Sequence, residues 1–339
     1  MAAKFDPIIV PNPVLPKGSW ILVTGVSGYI GSHVADQLLA AGYKVRGITR
    51  NAEKSKFLFD LICAVADMAV EGVFDGPVKG VAGVVHLASQ VDLNPDPNVV
   101  VNGAINQAVS LLNSAIKTSS VKRYVLTSSS MAPFKATVHT YNEDAVKEAW
   151  EPPPYTADRA FAVYSASKTQ QEQNMWEVYK KHKTQRPNLV ANSVVPDLNG
   201  GLCLDVQHQG FPSSLGIYKI LYDGDLQLFN AIQGPKYYVD VQDTARLHVA
   251  ALLLEDVVEE RIFAFAFPKN CNDDLATFRK VRPDRKFPEN DENAAKHLAE
   301  VPRARTEDML RRLGRKGWTS MEESFANMVA AFEQGEQGR

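Results

Sequence analysis

Cysteine is scarce in this 339-residue chain: there are three, Cys63, Cys203 and Cys271. An odd number at unrelated spacings excludes a secreted disulfide framework and gives no metal-ligand pattern, so each reads as a small buried hydrophobe. Excess charge is lacking too. Lys and Arg number 37 and Asp and Glu 39, a net charge of −2, which removes the electrostatic reason to expect nucleic acid or an anionic membrane as partner. The one basic run, Arg303 to Lys316, is broken by Glu307, Asp308 and Leu310 and reads as a solvated helix face. The first twenty residues carry four prolines and no sustained apolar run. They read as an extended lead-in rather than a signal peptide or anchor, and the protein as cytoplasmic. Internal repeats and low-complexity segments are missing.

What is present is an ordinary soluble composition, 45% hydrophobic and 22% charged, arranged as alternating strands and helices. Trp20-Ile-Leu-Val-Thr24 is a short apolar run ending in glycine, the form of a strand buried on both faces. A helix follows from Tyr29 to Ala41 with Gly42 at its C-cap, and Lys44 to Thr49 reads as the second strand. Further strands are expected at Gly83–Leu87, Arg123–Thr127 and Asn188–Val195, separated by helices over Val101–Thr118 and Ser165–Lys183. This order predicts an α/β protein, a doubly wound parallel sheet of Rossmann type with a smaller C-terminal substrate-binding lobe. The dinucleotide-binding domain is expected over 18–196, with 236–267 returning to it, and the lobe over 197–235 and 268–335. Helices are expected in the later region at Leu215–Tyr222, Val241–Leu254, Asp274–Val281 and Ser320–Gln334, with Asp240 or Asp243 capping the second and Asp273 or Asp274 the third.

Gly25-Val-Ser27-Gly28-Tyr29-Ile30-Gly31 joins the first strand to the first helix. Gly25 permits a tight turn, Gly28 lets the backbone approach a pyrophosphate, and Gly31 allows close helix–sheet packing, while the helix N-terminus supplies amide donors. The end of the second strand then selects the cofactor. Dinucleotide sites specific for an unphosphorylated ribose place Asp or Glu there. Between Tyr43 and Arg50 this chain has no acid but has Arg46 and Arg50, with Lys54 and Lys56 just beyond. Arg46 reads as a surface residue on a strand and Arg50 as the guanidinium for a 2′-phosphate, so NADP(H) is expected. Asp67 is a candidate acceptor for the adenine amino group.

Tyr164 and Lys168 lie four apart in a helical stretch and so share one face. A phenol with a pKa of about 10 is a poor acid at neutral pH; a neighbouring ammonium is expected to lower that value. Such a tyrosine gives a proton to a carbonyl oxygen as hydride reaches the carbon. Ser129, closing Tyr124-Val-Leu-Thr127-Ser128-Ser129, offers a hydroxyl at a strand's carboxyl end to hold that oxygen. The pair alone is common by chance. Its position after a glycine turn and a strand-terminal serine makes it a reductase signature, with Ser129, Tyr164 and Lys168 as the expected catalytic group.

The constellation resembles the extended short-chain dehydrogenase/reductase superfamily, and within it the dihydroflavonol reductase-like branch and fungal NADPH-dependent aldehyde/ketone reductases. The resemblance also rests on His86-Leu-Ala-Ser89, Ser120–Ser129, Leu275–Lys280 and Leu313–Trp318. It implies NADPH-dependent reduction of an aldehyde or ketone, Leu87 and Ala88 along the cofactor and Pro196 beside the nicotinamide. The full set of expected cofactor contacts is Gly25, Ser27, Gly28, Tyr29, Ile30, Gly31, Arg50, Asp67, Leu87, Ala88, Ser89, Thr127, Tyr164, Lys168, Pro196 and Leu198. Met131, Phe134 and Tyr218, with Leu198, are candidates for the substrate pocket. Three features depart from relatives: Gln107 where a glycine is usual, a short 51–66 segment, and the polar Asp197 and Asn199 after Pro196. A sugar-nucleotide epimerase or dehydratase is the alternative on this scaffold, but dehydratases place Asp-Glu directly after the serine or threonine, where this chain has Ser130-Met131-Ala132-Pro133. A non-catalytic NADP-sensing protein is the other alternative; such proteins commonly lose the tyrosine or lysine. The expected partner is a small-molecule carbonyl compound, with no metal, no nucleic acid and no membrane, and the protein acting as monomer or homodimer.

Overall fold

The computed structural model describes residues 8–50, 62–90, 93–133, 140–234, 236–295 and 300–337. The chain runs β1 (Trp20–Thr24), α1 (Tyr29–Ala40), β2 (Lys44–Thr49), β3 (Ile62–Ala64), β4 (Val81–His86), α2 (Pro97–Lys117), β5 (Arg123–Thr127), α3 (Glu143–Ala149), α4 (Ala160–His182) and β6 (Val190–Pro196). It continues through β7 (Leu198–Gly200), α5 (Val206–Gln209), α6 (Ser214–Tyr222), α7 (Leu226–Ile232), β8 (Lys236–Asp240), α8 (Val241–Leu253), β9 (Arg261–Ala264), β10 (Phe267–Lys269), α9 (Cys271–Val281), α10 (Arg303–Arg312) and α11 (Met321–Gln337). Seven parallel strands form one sheet in the order β3-β2-β1-β4-β5-β6-β9. The order reverses between β1 and β4, and an open parallel sheet binds ligands at the carboxyl ends beside such a reversal.

Burial on both faces explains the near-continuous apolar strands. On one face, Val34, Ala35 and Leu38 of α1 join Leu247 and Ala250 of α8. On the other, Ala108 and Leu111 of α2 meet Met175 and Tyr179 of α4. The 21-residue α2 is long and apolar enough to cross a bilayer, yet half of its apolar window is buried inside the protein. Its start is fixed by local chemistry: Pro97 stands in the first turn and Asp96 accepts from the Asn98 amide at 2.9 Å. The helix therefore begins four residues before the apolar periodicity does. α4 likewise begins at Ala160, five residues before the expected start. The end of α1 is as the sequence implies: Gly42 takes φ +86° and the amides of Gly42 and Tyr43 return to Leu39 and Leu38.

A three-stranded sheet, β10-β8-β7, lies beyond the large one. It packs with α6, α9 and α11 around Tyr218, Tyr222, Tyr238, Phe278, Phe325 and Phe332. Within 236–267, α8 packs on the large sheet and β9 forms its last strand, whereas β8 pairs in the small one. Asp240 caps α8 through the Gln242 amide. For α9 the cap is Asn270, in a reciprocal box with Asp273, rather than Asp273 or Asp274 itself. The short strand β7 follows β6 after a single residue, Asp197, so the small sheet is set directly over the carboxyl end of β6.

Candidate active site

The turn after β1 has the shape a pyrophosphate needs. Gly25 takes φ +66°, and a Cβ there would stand 2.9 Å from the Ala88 amide nitrogen. A Cβ on Gly31 would lie 2.1 Å from the Gly25 carbonyl oxygen, so only glycine lets α1 start this close to β1. Helix α1 has no side-chain cap and no acid in its first turn. Its leading amides at Tyr29, Ile30 and Gly31 have no acceptor within the helix, and the dipole favours an anion there. The cradle fits a dinucleotide. Ser27 is half-buried and Gly28 exposed at its rim, while Ile30 packs between two core clusters. Tyr29 differs from the expectation in one respect. Its ring is buried in the aromatic core of the small sheet and its hydroxyl donates to the Gly201 carbonyl at 3.1 Å, leaving only its backbone for a phosphate.

Two residues that sequence reasoning missed hold this turn. The Thr24 hydroxyl oxygen accepts from the amides of Leu87 and Ala88, each at 3.1 Å, so its own proton goes to His86 Nδ1 at 2.8 Å. The ends of β1 and β4 are thereby joined, and the two amides expected along the cofactor serve the turn; the next residue, Ser89, is half-buried. Gln209 of α5 reaches across 182 positions: its Nε2 donates to the Ser27 carbonyl at 3.0 Å, while its Oε1 accepts from the Asp205 amide at 3.2 Å. A lone glutamine in a loop-like stretch carries no sequence signal for such a latch.

Arg50 is exposed immediately after β2. Arg46 is committed elsewhere: its guanidinium donates to the carbonyls of Pro77 and Lys79 and lies 5.5 Å from the Trp20 ring. Asp67, exposed three residues past β3, accepts from the Ala69 amide at 2.9 Å as a turn residue. Lys54 and Lys56 lie outside the described residues, as does Phe134.

Ser129 is presented by the β5–β6 pairing, which continues past the end of β5. The Ser128 amide donates to Val194 and the Ser130 amide to Pro196, each at 2.8 Å, and Ser129 sits between them. Ser129 Oγ accepts from the Met131 amide at 3.3 Å and lies beside the Tyr164 phenol, whose pKa it lowers. On α4, Tyr164, Lys168 and Glu172 form a ladder at four-residue spacing. Lys168 Nζ donates to the Thr127 carbonyl at 3.3 Å and to Gln171 Oε1 at 3.5 Å. The Thr127 hydroxyl faces the other way. His248 Nδ1 donates to the Thr244 carbonyl, so its Nε2 accepts from Thr127 at 2.7 Å, and only the Thr127 carbonyl faces Lys168. Met131 is half-buried beside Ser129, with its carbonyl held by Ser165 Oγ at 2.6 Å. Leu198 and Tyr218 are buried in the small sheet's core, and the Tyr218 hydroxyl has no partner there.

Burial pushes the Tyr164 phenol above its ordinary value, and the neighbouring Ser129 hydroxyl pulls it back. The expected lowering by Lys168 is not what this geometry gives: burial raises the phenol, and the group that opposes it is Ser129. Burial also brings Lys168 down to about 8, opposed by the Glu172 carboxylate. His86 is held neutral, down at about 3, by burial and then by Lys168. Glu172 itself is fully buried and saturated: it accepts from Ser128 Oγ at 2.8 Å, Ser193 Oγ at 2.6 Å, and Arg261 Nε and Nη2 at 2.7 and 3.0 Å. The described residues hold no His, Cys, Asp and Glu cluster suited to a metal ion.

A family model described as the NAD dependent epimerase/dehydratase family matches residues 21–264. The chain is 38% identical over 343 residues to NAD-dependent epimerase/dehydratase terH of Aspergillus terreus, covering 94% of this chain and 98% of that one. It is 34% identical to aldehyde reductase 2 of Sporidiobolus salmonicolor, covering 95% and 98%. Among solved structures, Gre2 from Candida albicans in complex with NADPH has a TM-score of 0.79 at 19% identity, covering 94% of this chain and 99% of that chain. Vestitone reductase from alfalfa has a TM-score of 0.71 at 20% identity, with the same coverage of each chain. These two likenesses show the fold. The family match over most of the chain, joined to relatives above 30% identity along nearly its whole length, makes this protein a member of the NAD-dependent epimerase/dehydratase family of extended short-chain dehydrogenase/reductases.

Proposed function

We propose that the protein reduces an aldehyde or ketone to the alcohol with NADPH. The observation that carries this reading is the pair of hydroxyls, Ser129 and Tyr164, brought together at the end of β5 with Lys168 one turn along α4. NADPH supplies the hydride and a nicotinamide ribose. Ser129 holds the carbonyl oxygen in the plane of attack. As hydride adds to the carbon, the oxygen gains the π pair and takes the Tyr164 proton; Lys168 stabilises the phenolate that remains. A phenol kept protonated by burial suits this direction, because it enters the step as the acid. His86, held neutral, accepts no proton. Arg50 receives the 2′-phosphate at a strand end that carries no competing acid.

The names of relatives support the same chemistry: aldehyde reductase 2, and ketoreductase adrE of Penicillium roqueforti, 34% identical over 94% of this chain. The epimerase/dehydratase alternative has less support, since the carboxylate beside Ser130 is already held by two donors. Asp197 Oδ1 accepts from Ser130 Oγ and Oδ2 from the Tyr237 amide, both at 2.7 Å. Two variants test the reading in an NADPH-oxidation assay across aldehydes and ketones. Tyr164→Phe is expected to lower kcat by at least about 10²-fold with NADPH binding retained; near-normal turnover removes the acid assignment. Arg50→Ala is expected to weaken NADPH far more than NADH, and an equal effect on both removes the phosphate role.

A further inference from the structure

The small sheet brings a second cation to the group around Ser129. β8 and β10 are antiparallel, with Lys236 directly opposite Lys269. Like charges at facing positions destabilise a sheet, and the two lysines are treated differently. Lys269 is buried and neutralised, its Nζ 2.5 Å from Asp274 Oδ2 and 5.3 and 5.2 Å from the rings of Tyr218 and Phe229. Lys236 is half-buried and has no ion-pair partner among the described residues. Its Nζ lies 3.4 Å from the Met131 sulfur, a weak acceptor with no charge to offer an ammonium.

Met131 is also the residue whose amide donates to Ser129 Oγ. The uncompensated ammonium therefore stands one side chain from the hydroxyl that holds the substrate oxygen. Asp197 accepts from Ser130 Oγ and the Tyr237 amide and makes no ion pair with Lys236 among the described residues. A half-buried ammonium facing another lysine, without a counter-ion, is costly unless an anion completes it.

We propose, resting on the reductase reading above, that Lys236 binds a carboxylate of the substrate, so that the preferred substrates are oxo acids rather than simple aldehydes or esters. The compact ammonium on a flexible stem accepts a carboxylate without demanding the paired geometry an arginine would. The ion pair forms where water is partly excluded, which makes it worth more than an exposed pair.

The test compares kcat/KM for NADPH-dependent reduction of an aryl oxo acid with that for its methyl ester, in the wild type and in Lys236→Met. The wild type is expected to prefer the acid by about tenfold or more, equivalent to about 1.4 kcal/mol, and Lys236→Met to bring the ratio to about one or below. A wild type that uses the ester as well as the acid overturns the proposal, as does a variant in which both substrates lose equally. Binding of benzoate to the NADPH-saturated protein, followed by calorimetry, separates this idea from the reductase reading. Benzoate binding that disappears in Lys236→Met supports the carboxylate site even if no carbonyl compound is turned over, a result that would sink the reductase reading instead. Benzoate binding equally to both proteins overturns the site.

Discussion

The buried pair of Glu172 and Arg261 allows a quantitative prediction. The two side chains are 0% and 4% exposed, and Glu172 receives four hydrogen bonds from three strand-end elements: Ser128 after β5, Ser193 of β6 and Arg261 of β9. Arg261 also donates to the Thr140 carbonyl and lies 4.5 Å from the Tyr141 ring. Glu172→Leu removes the carboxylate of a buried ion pair, which costs about 3–5 kcal/mol, and unmakes two hydroxyl bonds worth about 1 kcal/mol each. We expect a loss of about 5 kcal/mol, a large share of the roughly 5–15 kcal/mol of a native protein. Arg261→Met leaves the carboxylate two hydroxyl donors, so the expected loss is about 3 kcal/mol. The double variant replaces the pair with apolar side chains and is expected to lose no more than the worse single variant, a coupling energy of at least about 3 kcal/mol. Urea unfolding of the four proteins at neutral pH measures it. Losses that add to within about 0.5 kcal/mol would refute the reasoning, because independent residues would then be responsible. Glu172 also holds up the Lys168 pKa, so Glu172→Gln is expected to move the alkaline limb of kcat/KM to lower pH.

Two further predictions follow from the same geometry. Lys168 loses its proton near pH 8 in the fold; the ammonium is present below that value and lost above it, so kcat/KM for reduction is expected to fall as pH rises through about 8, and a profile flat to pH 10 would contradict this. Gly31→Ala is expected to weaken NADPH binding at least about tenfold, about 1.4 kcal/mol, because its Cβ meets backbone at 2.1 Å, whereas Gly103→Ala, whose Cβ meets nothing within 4 Å, serves as the control and gains up to about 1 kcal/mol of stability from helix propensity.

Elements bounded by strong local chemistry were legible in the sequence. β1, β2 and β5 fall where apolar runs end in glycine or at strand-terminal polar residues, and α1 stops where Gly42 supplies a left-handed residue. α2 and α4 begin earlier than their apolar spacing indicates, since the first turn depends on Asp96 and Pro97 in one and on packing in the other. β7, β9 and β10 have three or four residues each. Segments so short acquire strand geometry only from their neighbours, so no pattern within them could announce it.

The sequence by itself determined the glycine turn, the absence of an acid at the end of β2, and the four-residue spacing that puts Tyr164, Lys168 and Glu172 on one helix face. These are properties of backbone conformation and helical period, and they need no distant partner. The tertiary structure decided which of the surrounding polar groups remain available. It spent Thr24 on the end of β4, turned Thr127 toward His248, tied Arg46 to the 77–79 carbonyls, latched Gln209 to the turn, and set Lys236 against Met131 without a counter-ion among the described residues. Hydrogen-bond and charge partners are chosen by burial and by the meeting of segments far apart in the chain, and that is information the local sequence does not contain.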